Sequence, residues 1–142
     1  MIKVFIDSSV MISAAISKTG ASRELLVQGF QGKYYLSASS LVFEETMHNV
    51  VDHAVAAMPA LKELRGKLPL KIVKPSKGKI LMVAKFIEWK DAPIVAGALA
   101  AKADYLVTLD KQHLLSQNDL IQEKFNLTVI SPGDFLHRAK LA

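Results

Sequence analysis

Four acidic residues stand at positions from which they could act together: Asp7, Glu45, Asp91 and Asp110. Asp7 follows the apolar run Ile2-Lys3-Val4-Phe5-Ile6, and Asp110 follows Tyr105-Leu106-Val107-Thr108. Both runs read as strands, so both acids fall at a carboxyl end, the edge where open α/β sheets carry their chemistry. Asp91 opens a helix beside Pro93, and Glu45 lies in the helix expected after a second strand. Two carboxylates about 6 Å apart at an effective dielectric near 20 repel by roughly 3 kcal/mol. Three or four in one cleft therefore call for a divalent cation. Cysteine is absent, and His48 and His53 are five residues apart, on different helical faces. Oxygen donors alone suit Mg²⁺ or Mn²⁺ better than Zn²⁺. An ion held in this way activates water and neutralises phosphoryl oxygens, the requirements of phosphodiester hydrolysis.

Each acid also has a structural reading. An Asp after a strand commonly caps the next helix, and Asp91 beside Pro93 has the chemistry of a helix start. A Glu within a helix is usually solvated. Glu44 and Glu45 differ by about 100° around a helix axis; Glu45 lies one turn from Leu41 and Val42, near the apolar side, and Glu44 shares a face with Ser40 and His48. Glu45 is the preferred residue and Glu44 the fallback. His113, three residues past Asp110, reads first as a loop or capping histidine, with a phosphate contact as its functional alternative. Asp104 ends its helix or begins the next strand and is not placed at the metal.

The elements that must position these residues alternate. A strand over 2–6 leads into Asp7-Ser8-Ser9 and a helix near Val10–Ile16. Ser22 caps a second helix that runs to Phe30, closed by Gly32. Residues 34–38 form the next strand, with a helix from about Ser39. Leu70–Lys74 alternates as an edge strand, Lys79–Glu88 is helical, and Asp91 starts a helix in which Gly97 and Ala98 permit close packing. A helix at about Ser116–Lys124, a strand at Leu127–Ile130 and a helix from Pro132 complete the chain. Strands alternating with helices predict a parallel sheet covered on both faces.

At 142 residues and 51% hydrophobic content, the chain is long and apolar enough for one domain with a substantial core. No apolar run approaches a membrane span, and the first residues already read as a strand with no charged region ahead of it. The lack of cysteine fits a reducing, cytoplasmic setting. A net charge of +5 points mildly to a polyanionic partner.

Four blocks, Val-Phe-Ile-Asp-Ser-Ser-Val, Ser-Ala-Ser-Ser-Leu-Val-Phe-Glu-Glu, Asp-Ala-Pro-Ile-Val-Ala-Gly-Ala-Leu and Ala-Asp-Tyr-Leu-Val-Thr-Leu-Asp, occur in this order between Lys3 and Phe135. Together they resemble a PIN-domain protein of the VapC-like toxin type. The resemblance implies a single PIN-like domain over 1–142, a three-layer α/β/α fold with a central parallel sheet of about five strands. It implies RNA cleavage with Mg²⁺ or Mn²⁺, with Asp7, Asp91 and Asp110 at the metal and Glu45 as the further catalytic acid. Ser9 and Thr108 match supporting positions. The partners implied are RNA, a small antitoxin and a second copy of the chain as a homodimer, with no membrane. Some relatives carry a further acid after the Thr-x-Asp block, where this chain has Lys111-Gln112-His113. An RNA-processing nuclease and a catalytically weak RNA-binding scaffold are the alternative functions. Lys62, Arg65, Lys67, Lys71, Lys74, Lys77 and Lys79 form the densest basic stretch. A solvated face is their default, and Lys71, Lys74 and Lys77 are expected to hold RNA phosphates if the stretch borders the acids. Tyr34 and Tyr35 read as core residues, and Trp89 as an aromatic that an unpaired base could stack on.

Overall fold

The structure, a computed structural model, describes residues 1–41 and 70–141. Glu44, Glu45, His48, His53, Lys62, Arg65 and Lys67 lie outside the described residues. Within them the order is β1 (Lys3–Ile6), α1 (Ser8–Ile16), α2 (Ala21–Phe30), β2 (Tyr35–Ser39), β3 (Leu70–Val73), α3 (Lys77–Val83), α4 (Ala92–Ala100), β4 (Tyr105–Val107), a 3₁₀ turn (Leu115–Gln117), α5 (Asn118–Phe125), β5 (Thr128–Ile130) and α6 (Pro132–Leu141). The five strands form one sheet, all parallel, in the order β3-β2-β1-β4-β5. This is the expected α/β architecture, with the lysine-bearing β3 at an edge.

Two of the three inner strands, β1 and β4, are the most buried, as strands covered on both faces must be. Val4, Phe5, Ile6, Leu106 and Val107 are fully buried, whereas Lys71 and Ile72 on the edge strand are exposed. Side chains alternate across the sheet. Leu36 lies against Gly29 of α2, and Phe5 on the other face lies against Gly97 of α4. A Cβ at Gly97 would come within 2.9 Å of Phe5 Cζ and 3.4 Å of Ser39 Cβ, so the missing side chain is what lets α4 settle on the sheet. The close packing expected at Gly97 is present. On the α2 side, Phe135 of α6 stands edge-on to Tyr34 at 5.1 Å and to Tyr105 at 5.3 Å.

Some boundaries differ from the sequence reading for identifiable reasons. The second helix begins one residue before Ser22, with Gly20 at its N-cap; Ser22 is buried inside the first turn instead of capping it. The helix expected to reach Glu88 ends at Val83 and gives way to turns, which carry the chain to Asp91. Tyr34 is buried as expected, but Tyr35 is 57% exposed and is no core residue: it starts β2 on the opposite face. Asp104 ties β4 to β1, accepting from the Lys3 amide at 2.9 Å and donating its own amide to the Lys3 carbonyl at 2.8 Å, in keeping with its exclusion from the metal.

Candidate active site

Asp7 is the N-cap of α1, in extended backbone (φ −95°, ψ 179°). This geometry follows from a strand that ends where a helix must begin, and it lets Asp7 Oδ1 accept from the Val10 amide at 3.3 Å. The capping reading is therefore correct, but it accounts for only part of the surroundings. The register pairs Phe5 with Leu106 and Ile6 with Val107, so one further step sets Asp7 beside Thr108. Thr108 Oγ1 donates to Asp7 Oδ2 at 2.5 Å, and Ser9 Oγ donates to Asp7 Oδ1 at 2.5 Å. The Leu109 amide donates to Ser9 Oγ at 2.9 Å, and the Asp110 amide donates to Thr108 Oγ1 at 3.0 Å. The end of β1 and the loop after β4 are thus laced together around one carboxylate.

Asp7 is 3% exposed and Thr108 is fully buried. Burial raises the Asp7 carboxyl above its ordinary range, and the Ser9 and Thr108 hydroxyls and nearby amides pull it partly back. Asp110 continues the network from the loop: its Oδ1 accepts from the His113 amide at 3.0 Å, and its carbonyl accepts from the Leu115 amide at 2.9 Å. That pair of bonds fixes the turn that presents His113.

Asp91 overturns its structural reading. It occupies the N-cap position of α4 but makes no side-chain capping bond. A cap satisfies the amide of the second or third helical residue. The second is Pro93, which has no N–H, and the third, Ile94, donates to the Asp91 backbone carbonyl at 3.2 Å. Asp91 is itself in helical backbone (φ −93°, ψ −16°), not in the extended form of a capping residue. Its carboxylate is left for something else. Asp91 is 5% exposed, and its Oδ2 is buried with no hydrogen-bond partner among the described residues. Burial raises this carboxyl as well; His113 and Lys90 favour the charged form, while Asp110 and Glu88 oppose it.

The expected residues are consequently linked in a chain. Asp7 and Asp110 meet through Thr108, and Asp110 lies close enough to Asp91 to act on its charge. Among the described residues, the tightest group of potential ligands is Glu88, Asp91 and His113, whose donor atoms all lie within 4.8 Å of one another. It shares Asp91 with the expected set and adds Glu88, which the sequence reading left inside a helix, and His113, which it read as a loop or capping histidine with a phosphate contact as the alternative. Glu88 had one local signal, since three residues of turn before Asp91 return it to the same side. His113 had none beyond its nearness to Asp110.

The basic trio is divided. Lys74 and Lys77 follow the carboxyl end of β3, the edge where Asp7 lies. Lys71 is two residues further back and lines, with Lys3, Tyr35, Ser37 and Ala101, a cavity of about 430 Å³ toward the amino ends of the strands. Trp89 is 81% exposed in the turn between Glu88 and Asp91. No described helix is long and apolar enough to cross a membrane.

Neither a protein-family model nor a curated protein sequence matches the chain. Solved structures do. PAE2754 from Pyrobaculum aerophilum superposes with a TM-score of 0.67 at 18% identity, over 99% of this chain and 91% of that one. VapBC2 from Rickettsia felis, bound to a DNA fragment from its promoter, gives 0.65 at 17% identity over 92% and 98%. VapBC-1 from nontypeable Haemophilus influenzae gives 0.57 at 13% identity over 93% and 99%. The similarity is one of backbone arrangement along nearly the whole length of both chains. With its all-parallel sheet, its covering helices and acids at the carboxyl edge, the chain shares the fold of these structures, the PIN-type α/β/α fold that its four sequence blocks imply.

Proposed function

We propose that this chain is a divalent-metal-dependent ribonuclease, acting as the toxin of a toxin–antitoxin pair. The observation that carries the reading is Asp91, a buried carboxylate whose Oδ2 has no partner among the described residues and which feels the charge of Asp110. A buried charged oxygen without a hydrogen bond costs several kcal/mol unless something cationic compensates it. We assign Mg²⁺ or Mn²⁺ to Asp7, Asp91 and Asp110, with Glu45 as the fourth acid. These are hard oxygen donors, and they fit such an ion. When bound, it supplies an acidified water and offsets charge on the phosphoryl oxygens.

The chain's own residues do the rest. Ser9 and Thr108 hold Asp7 in one orientation, and the Asp110 amide holds Thr108 in turn. Lys74 and Lys77 are the first candidates for RNA phosphates, given their place at the same edge, and Lys71 comes after them. The antitoxin assignment takes its support from VapBC2 and VapBC-1, which share this fold as parts of VapBC assemblies.

Incubating the purified chain with RNA tests the reading. Cleavage should require Mg²⁺ or Mn²⁺, stop in excess EDTA, and fall by orders of magnitude in Asp7→Asn. Full cleavage in EDTA would overturn the proposal.

A further inference from the structure

Glu88 and His113 reach Asp91 from two separate segments. Glu88 is anchored by the turn before α4, where its carbonyl accepts from the Asp91 amide at 3.0 Å and from the Ala92 amide at 3.1 Å. His113 is anchored by the loop after β4, through its amide on Asp110 Oδ1. The Glu88 backbone is therefore tied to Asp91 and the His113 backbone to Asp110, and one donor atom from each of Glu88, Asp91 and His113 lies within 4.8 Å of the other two. Ligands sharing one ion at ordinary bond lengths of 2.0–2.2 Å stand about 3–4.2 Å apart, so small side-chain movements close the set. The cluster also contains Asp91 Oδ2, buried and without a hydrogen-bond partner among the described residues. Glu88 is exposed, and its contact with Lys90 at 3.5 Å is a solvated ion pair that contributes little and yields readily to a dication.

We infer that Glu88 and His113 complete, on Asp91, a divalent-cation site with one imidazole nitrogen and two carboxylate oxygens, which takes Mn²⁺ in preference to Mg²⁺. This rests on the reading of Asp91 as a metal ligand and adds Glu88 and His113 to the residues proposed to hold the ion there. Carboxylates alone discriminate weakly between the two ions. Imidazole is a softer donor that suits the later divalent metals, and Mg²⁺ accepts it poorly.

The test is metal binding, read without RNA. The metal-free chain is titrated with Mn²⁺, following the loss of the free-ion electron paramagnetic resonance signal, and bound Mn²⁺ is then competed off with Mg²⁺. Parent protein should bind Mn²⁺ well ahead of Mg²⁺ and show nitrogen hyperfine coupling from a coordinated imidazole in pulsed spectra. His113→Ala should lose that coupling and about 10–100-fold in Mn²⁺ affinity, the scale on which even outer-shell partners matter. Its Mg²⁺ affinity should change far less. Glu88→Gln should weaken both ions. If the parent binds Mn²⁺ and Asp91→Asn abolishes binding, but His113→Ala keeps the Mn²⁺/Mg²⁺ ratio and the parent shows no nitrogen coupling, the imidazole site is wrong and the nuclease reading stands. If the parent binds neither ion, both fall.

Discussion

Asp7 and Asp91 are both buried carboxylates, and their surroundings differ in a way that separates two jobs. Asp7 has two hydroxyls and an amide on it, which offset part of the cost of burying its charge. Asp91 has an oxygen with no hydrogen bond from any described residue. Thr108 is the residue on which the Asp7 arrangement turns, since it donates to Asp7 and accepts from the Asp110 amide. Thr108→Val keeps the shape and removes both bonds. Leaving a buried polar group unpaired costs about 1–3 kcal/mol, and urea unfolding of the metal-free variant should show a loss of that size together with impaired cleavage. Unchanged stability would mean that Asp7 is held by Ser9 and the amides alone. The capping function of Asp7 was legible in the sequence because it depends on residues three apart at the end of a strand; Ser9 and Thr108 were pointed to by the family resemblance alone, since the Thr108 bond depends on how β1 and β4 pair. The failure of Asp91 to cap was legible too, in principle, because Pro93 carries no N–H to be capped.

The strands were readable from their apolar runs, and β3 was placed at an edge by its lysines. Helix ends were less so. The segment after Val83 keeps the right apolar spacing, with Ile87 buried, yet turns replace the helix there. Glu88 and His113 were not readable as a pair. They belong to different connections and meet only when α4 is docked on the sheet, so no periodicity in either segment encodes them. The docking depends on Gly97. In Gly97→Ala, the gain in helix propensity is about 1 kcal/mol, while overpacking against a buried ring costs typically 1–3 kcal/mol. With Phe5 Cζ only 2.9 Å from the added Cβ and Phe5 fully buried, the cost should win. We expect a lowered melting temperature and a weakened metal response, because α4 carries Asp91 away from the sheet edge. A variant more stable than the parent would show that the ring gives way freely.

Across the whole molecule, the site is stability given up for binding. Burial raises the folded-state carboxyls of Asp7 and Asp91 above their ordinary range. Each then holds its proton more tightly folded than unfolded. Between the ordinary value near 4 and the raised one the native state binds more protons, so this contribution to stability is full below the unfolded value and lost as pH rises through the folded one. The metal-free parent should therefore lose more stability between mildly acidic and neutral pH than Asp7→Asn or Asp91→Asn does; parallel pH profiles would contradict the burial argument. A dication reverses the penalty by binding only the folded chain, worth about 2.7 kcal/mol at a hundredfold excess over Kd. The most direct test is melting of parent and Asp91→Asn with and without Mn²⁺ at neutral pH, beside one RNA cleavage assay. Metal-free Asp91→Asn should be at least as stable as the parent, Mn²⁺ should raise the parent's Tm by several degrees and the variant's by much less, and only the parent should cleave. Equal stabilisation of both proteins by Mn²⁺, with cleavage surviving in Asp91→Asn, would contradict the reading of Asp91 as a metal ligand.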